Sequence, residues 1–409
     1  MSNERFNGWA YLPDNLLEEI FFLLPIKNIS RCSQVCSNWN RIAKSKYVWQ
    51  KFKFKDYAFT RRKFTSHYGW QHVIDHWRLR LLILNAAEKW RKLEVEPVTI
   101  LFNLYEFFRV LINFAEYYEK NTTYRPLTTI RSFSFKWQLH IHQRGEDQRE
   151  QMFGTGGEML KALSLLLSYL HGLTDLTLRE LQLESYECNN FIDDILFKFN
   201  QQLTSLCIVN ITKAARAFLQ FGLFLNLKRL VISAQHLDES IVILLADLYN
   251  LQVLVLYQVW HFNFIRYLIL QPKAPVYAII HEKSTGQLTS ETAQFNYSET
   301  LQYYIQEGLE RHYRSRRFVD RVDLFLIQMA ICSNLKLLVM RERVNYMTAI
   351  LLALTARQNN TNICLRRNAL LKRVFFFLKI IFNVKYFIIP VILLTRSLFE
   401  NLILVSLLL

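Results

Sequence analysis

Three segments, LTSLCIVNI (203–211), LKRLVISAQ (227–235) and LQVLVLYQV (251–259), start 24 residues apart and share the order LxxLxL. LTDLTLRELQL (173–183) extends the same pattern furthest, and WRKLEV (90–95), IRSFSF (130–135) and LKLLVM (335–340) are weaker copies. Neighbouring residues of a strand face opposite ways, so the second and third leucines of each copy point into one core. Apolar stripes at helical spacing precede the copies. Leu160, Leu163, Leu167 and Leu170 lead into 173. Phe191, Ile195 and Phe199 lead into 203. Ala214, Ala217 and Phe221 lead into 227, and Ile241, Leu244 and Leu248 into 251. Short strand, turn and helix, repeated, make a curved stack with a parallel sheet on its concave side. No single copy can bury its own apolar face, which is why the unit repeats.

Alternation also predicts the side chains on the open side of that sheet. These are Ser134, Thr177, Cys207, Val231, Val255 and Val339, flanked by Lys136, Arg179, Val209, Ser233 and Tyr257. From them we take Thr177, Arg179, Cys207, Val209, Val231, Ser233, Val255 and Tyr257 as candidate binding residues. Cys207, Val209, Val231, Val253 and Val255 make the middle apolar. Two readings follow: a patch for an apolar partner, or burial under a segment at 281–325 that interrupts the repeat. The first half of that insert is polar, residues 299–315 read as a helix, and Arg311, Arg314, Arg316 and Arg317 form either a grip for an acidic target or a solvated helix end.

The N-terminus follows a different rule. In LPDNLLEEIFFLLPIKNISRCSQVCSNWNRIAKSKYVWQKF (12–52), Pro13 suits a first helical turn. Leu16, Ile20 and Leu24 recur at steps of four, and Pro25 ends the helix. Asn28 is placed to cap a second helix, whose stripe runs through Ile29, Cys32, Val35, Cys36, Trp39 and Ile42. This is more apolar surface than so short a unit can bury, because chains below about 40 residues seldom stabilise themselves alone. A contiguous surplus of that kind marks a protein-binding surface. Cys32 and Cys36 lack two further ligands nearby and read as small packing residues rather than a zinc site.

Leu12–Pro13, Leu16, Ile20, Leu24–Pro25, Ile29, Val35–Cys36, Trp39 and Trp49 together resemble the F-box, over residues 9–52. The resemblance implies docking through these residues on the adaptor Skp1, and through it on a cullin and a RING protein. The repeats resemble the leucine-rich-repeat region that follows many F-boxes. The implied fold is α/β: a helical F-box (9–52), a helical linker (53–89), an irregular leucine-rich-repeat-like solenoid (90–365) with an insert near 281–325, and a basic then hydrophobic tail (366–409). The implied role is a non-catalytic substrate receptor of a ubiquitin ligase, without cofactor, holding a protein target for ubiquitination and degradation. An F-box scaffold or membrane-associated adaptor that assembles no ligase is the alternative.

Charge is uneven. The chain carries +16 overall, with +10 in residues 1–92 and +6 in residues 366–409. Nine cations between 41 and 63 face only Asp56. That run is a solvated face or an attractor of acidic surface. No nucleic-acid partner is expected, because no nucleic-acid-binding motif accompanies it. The six cysteines form no CxxC pair, and the N-terminus has no apolar signal core, so reduced thiols in the cytoplasm or nucleus are expected. His72 and His76, four apart, put two imidazoles on one helix face, a possible metal pair, but HVIDH lacks the Glu of HExxH and they read as packing or capping residues. GTGG (154–157) lacks the Lys-Ser/Thr of a P-loop and reads as a loop entering a helix. No metal site is expected.

The tail contains VFFFLKIIFNVKYFIIPVILL (374–394), 17 of whose 21 residues are apolar. Two lysines inside it offset much of the insertion energy. Three readings stand: a membrane anchor, terminal repeats packed on the sheet, or an atypical end.

Overall fold

A computed structural model describes residues 8–9, 12–55, 57, 59–66, 69–98, 100–136, 157–212, 214–236, 248–257, 275–282, 299–306, 332–340 and 346–365. The chain divides into two compact units, residues 1–227 and 228–409.

The first unit begins with four short helices: α1 (Asp14–Leu23), α2 (Ile26–Cys32), α3 (Ser37–Ala43) and α4 (Lys46–Trp49). Strand β1 (Lys51–Phe54) follows directly, then an antiparallel hairpin of β2 (Thr60–Thr65) and β3 (Gly69–Ile74), then α5 (His76–Ala86). The expected helical linker is therefore a hairpin followed by a helix, and β1 belongs to the repeat sheet. KFKF alternates strictly, and Phe52 and Phe54 are both buried. Alternation over four residues is a strand signal that the neighbouring helical stripes obscured.

Strands β4 (Lys92–Val95), β5 (Ser132–Lys136), β6 (Asp175–Arg179) and β7 (Ser205–Val209) continue a parallel sheet in the order β1-β4-β5-β6-β7. The register aligns Phe52 with Leu93, Leu93 with Phe133, Phe133 with Leu176 and Leu176 with Leu206. That row is fully buried, so equivalent positions of successive copies stack into one core. Helices α6 (Leu101–Asn121), α7 (Gly157–Tyr169) and α8 (Ser185–Phe199) pack on one another in succession. Phe107 of α6 stacks on Phe54 of β1 at 4.2 Å, and Trp90 stacks on Phe52 at 4.2 Å. The stripe at 214–221 is not an α-helix. Only a short 3-10 turn, Leu219–Leu223, forms there, with Phe218, Phe221 and Phe224 buried around it.

One hydrogen-bond device recurs between copies. A single carbonyl accepts the N–H groups of two successive residues in the next copy. Arg131 O accepts Thr174 N (2.8 Å) and Asp175 N (2.9 Å), and Lys228 O accepts Gln252 N (2.8 Å) and Val253 N (3.0 Å). Between α7 and β6, buried Gly172 lies so close to the Thr128 carbonyl that a Cβ there would overlap it.

In the second unit β8 (Arg229–Ser233), β9 (Val253–Tyr257), β10 (Ala278–Glu282), β11 (Tyr303–Gln306), β12 (Leu337–Met340) and β13 (Asn362–Leu365) pair in parallel in chain order, and α9 (Tyr346–Asn359) precedes β13. The expected helix at 299–315 is not what forms at its start, since 303–306 is a strand. β10 and β11 are two copies that the leucine pattern hides. Val276, Ile279 and His281 occupy the LxxLxL positions in one, and Leu301, Tyr304 and Gln306 in the other, all buried. Polar side chains in leucine places erased the sequence signal. Residues 241–247, the arginines at 311–317 and the tail at 366–409 lie outside the described residues, and no helix among the described residues is long and apolar enough to cross a membrane.

Candidate functional site: a helical docking surface

Each N-terminal helix is started by a residue whose backbone cannot or does not continue a helix. Pro13 precedes α1 and Pro25 precedes α2, both extended. Helix α2 therefore starts at Ile26, and Asn28 lies inside it instead of capping it. The single stripe expected from Ile29 to Ile42 is broken into two helices, because Cys36 is extended and its Sγ accepts the Trp39 N–H at 3.5 Å, capping α3. Ser45 caps α4 through Val48 N at 3.3 Å.

A small core results. Leu17, Phe21, Ile29, Ile42, Ala43 and Val48 are buried, with Leu12, Leu24, Cys32, Trp39 and Trp49 packed against them. Trp39 meets Phe21 edge-on at 5.3 Å and donates from Nε1 to the Trp9 carbonyl oxygen at 3.2 Å. Trp49 Nε1 donates to Ala43 O at 2.6 Å. Both indoles have an apolar body inside and a satisfied N–H, the arrangement that suits a partly buried Trp. Arg41 clamps both Asp14 carboxylate oxygens at 2.6 and 2.7 Å, tying α3 to the start of α1.

The surplus apolar surface lies on α1. Leu16, Ile20 and Leu23 are 48%, 39% and 79% exposed, while Leu17 and Phe21 are buried. A step of four and then one of three brings the third residue back to within about 20° of the first, whereas two steps of four drift by about 80°. Leu24 consequently turns inward with Leu17 and Phe21, and Leu23 continues the outer stripe. The sequence spacing placed Leu24 in that stripe and passed over Leu23. Of the other residues expected at the docking surface, Pro13, Pro25 and Val35 are exposed, Leu12, Cys36, Trp39 and Trp49 are half-buried, and Ile29 is core.

The candidate target-binding residues divide in two. In the first unit Thr177 and Arg179 are half-buried and accessible, whereas Cys207 and Val209 are buried. In the second unit Val231, Ser233, Val255 and Tyr257 are all buried. They offer no free apolar patch, and most of the segment expected to cover them, 283–298 and 307–325, lies outside the described residues. Where the first sheet begins, the open face is polar. Glu94 of β4 holds Lys53 and Lys92 at 2.9 Å each and Lys51 at 3.4 Å, and Glu96 holds Lys53 at 3.4 Å and Lys55 at 3.6 Å. Part of the basic run between 41 and 63 is therefore spent on carboxylates in and just after β4. Burial alone pushes the Glu94 carboxyl up, but the hydrogen bonds and charges of Lys92, Lys53 and Lys51 outweigh it and hold it at about 2.

The remaining chemical motifs separate. His72 lies on β3 and His76 opens α5, so they share no helix face. Asn103 Nδ2 donates to the His72 carbonyl at 2.8 Å, and His76 Nε2 pairs with Glu106 at 2.8 Å. Gly157 starts α7, and 154–156 lie outside the described residues. Burial pushes the Cys188 thiol up to about 12 and the Cys332 thiol up to about 11, which leaves both unreactive. No group of three or more potential metal ligands gathers among the described residues.

A comparison with curated proteins finds no match to the chain. Residues 9–55 match the family model described as F-box-like. The four-helix N-terminal unit, with its capped helices and two-faced α1, is an F-box-like domain.

Proposed function

We propose that this protein is a substrate receptor subunit of a Skp1–cullin–F-box ubiquitin ligase. F-box domains typically bind Skp1, and the observation that carries the reading is the exposed Leu16–Ile20–Leu23 stripe on the F-box-like unit. Three large apolar side chains on one helix face are the form a helix-in-groove anchor takes. The stacked parallel copies, read as a leucine-rich-repeat-like solenoid, hold the target protein. The chain performs no chemistry. It brings a target lysine close to a ubiquitin-charged enzyme bound through the cullin and RING protein, and proximity is its contribution.

Co-expression with Skp1 tests this. The wild-type chain should co-purify with Skp1, and Leu16→Asp combined with Leu23→Asp should lower recovery at least about tenfold, since the stripe is desolvated at the contact. Both positions are outside the small core, so the variant should keep its melting temperature. Full Skp1 recovery by the double variant, or none by the wild type, would overturn the proposal.

A further inference from the structure

The hairpin of β2 and β3 is a two-stranded sheet of its own, and only one of its two outer edges is covered. In an antiparallel strand the N–H and C=O of one residue point the same way, and successive residues alternate. The buried Asn103 of α6 donates from Nδ2 to the His72 carbonyl at 2.8 Å and accepts the Ile74 N–H on Oδ1 at 2.9 Å. Its amide stands in for a third strand along β3, so His72 and Ile74 face away from β2. Gln71 and Val73 then bond to their partners Lys63 and Arg61, which leaves Thr60, Arg62 and Phe64 turning N–H and C=O to the outer edge of β2. No further strand pairs with that edge among the described residues. Its side chains differ by face. Arg61 and Lys63 share one face, are exposed and make no ion pair among the described residues, and the sequence holds no carboxylate between Asp56 and Asp75. The other face carries Arg62, whose guanidinium lies 5.4 Å from the Trp70 ring centre, and Phe64, edge-on to Trp70 at 5.6 Å. Phe64 and Trp70 are 60% and 65% exposed. An open edge bordered by cations repels a second copy of itself, and a two-stranded ribbon alone is marginally stable.

We infer that β2 is completed by an extended segment of a partner protein, added as a third strand, in which acidic residues alternate with apolar ones. Strand addition satisfies the outward N–H and C=O groups of Arg62 and Phe64, and the side chains supply specificity. The alternation follows from the two faces. Neighbouring strands set side chains of the same face beside one another. Partner residues beside Arg61 and Lys63 therefore meet cations. The residues between them meet Phe64 and the Arg62–Trp70 pair, where apolar contact covers exposed rings. Base stacking is the weaker match, because Arg62 lies over Trp70 and Phe64 meets it edge-on, and because a nucleic acid leaves the backbone edge unpaired. A lipid surface leaves that edge unpaired as well. The edge lies outside the α1 stripe, and its use does not require the ligase reading.

The test presents the full-length chain with immobilised peptides as long as β2. One alternates glutamate with valine, one gathers the same glutamates in a block, and one alternates lysine with valine. The alternating glutamate peptide should retain at least about tenfold more protein than either of the others. Methylating alternate amide nitrogens of that peptide should lower retention at least about tenfold in one of the two frames and leave it within about twofold in the other, because only one frame turns its N–H groups to β2. The methylated peptides leave the protein untouched, so this result stands even where a variant misfolds. Arg62→Pro removes an outward N–H at an edge position that tolerates proline and should abolish retention, whereas Arg62→Ala keeps the N–H and should hold retention within about threefold. Arg61→Glu combined with Lys63→Glu should move the preference to the lysine peptide. Equal retention on the block and alternating glutamate peptides, or full retention on both methylated peptides, would overturn the inference. So would a preference unmoved by the charge exchange, retention on single-stranded RNA or anionic phospholipid vesicles in place of the peptides, or a dimer that Arg62→Pro abolishes.

Discussion

The Sγ of Cys36 accepts the backbone N–H of Trp39, three residues on, at 3.5 Å. The thiol thus starts the helix that carries the Trp39 indole against Phe21, and a residue type that suggests metal or redox chemistry serves as a helix cap. Sulfur is a weak acceptor, so a better one should improve the cap. Cys36→Ser should slow hydrogen exchange of the α3 amides, and Cys36→Ala should speed it, by about 0.5–1 kcal/mol of opening free energy. Equal exchange in all three proteins would show that the cap contributes nothing.

The two faces of α1 should respond oppositely to truncation. Phe21→Ala removes a fully buried ring and should cost about 3–5 kcal/mol in urea unfolding followed at the N-terminal unit. Leu23→Ala removes a side chain already 79% exposed and should shift stability by no more than about 0.5 kcal/mol while weakening Skp1 recovery.

Glu94 joins three lysines from two strands. Glu94→Gln leaves them facing one another and should destabilise the first unit by about 1–3 kcal/mol near neutral pH. The folded carboxyl lies at about 2 against an ordinary 4.5. The stabilisation is therefore complete above about pH 4.5 and disappears as pH falls towards 2. Unfolding midpoints of wild type and variant should converge over that window, and a constant gap would show that charge is not the cause.

His281 sits in a leucine position of β10, in register with Leu256 and Gln306, and burial pushes its imidazole down to about 3. The folded chain holds it neutral while the unfolded chain takes up a proton below about 6.5. Stability of the second unit should be full above that pH and fall towards pH 3, with a slope of up to about 1.4 kcal/mol per pH unit. His281→Gln keeps a polar side chain without the titration and should flatten the slope between pH 6.5 and 4. An unchanged slope would assign it to other groups.

Gly172 answers a different constraint. Gly172→Ala should cost about 1–3 kcal/mol, because the new methyl meets the carbonyl of Thr128, in the 3-10 turn Pro126–Thr129. A melting temperature equal to wild type would mean that this loop gives way.

Much of the architecture was written locally. The LxxLxL copies at 90, 130, 173, 203, 227, 251 and 335 all became strands or their entries, because period-two burial is imposed by backbone geometry within five or six residues. The N-terminal helices were legible for the same reason, from prolines and a helical stripe. Long-range packing decided the rest. Nothing local tells Leu24 from Leu23 until Phe21 and Trp39 define the inside. Glu94 finds Lys53 from 41 positions away in the chain only because β1 and β4 are neighbours. His281 and Gln306 pass as surface residues in the sequence, yet the register seats them in the buried column. Val231 and Val255 look like an open apolar patch, yet they are buried. Periodicity states which residues share a face, a property of one segment. Whether that face is core or surface depends on what the rest of the chain lays against it, and only the folded molecule contains that.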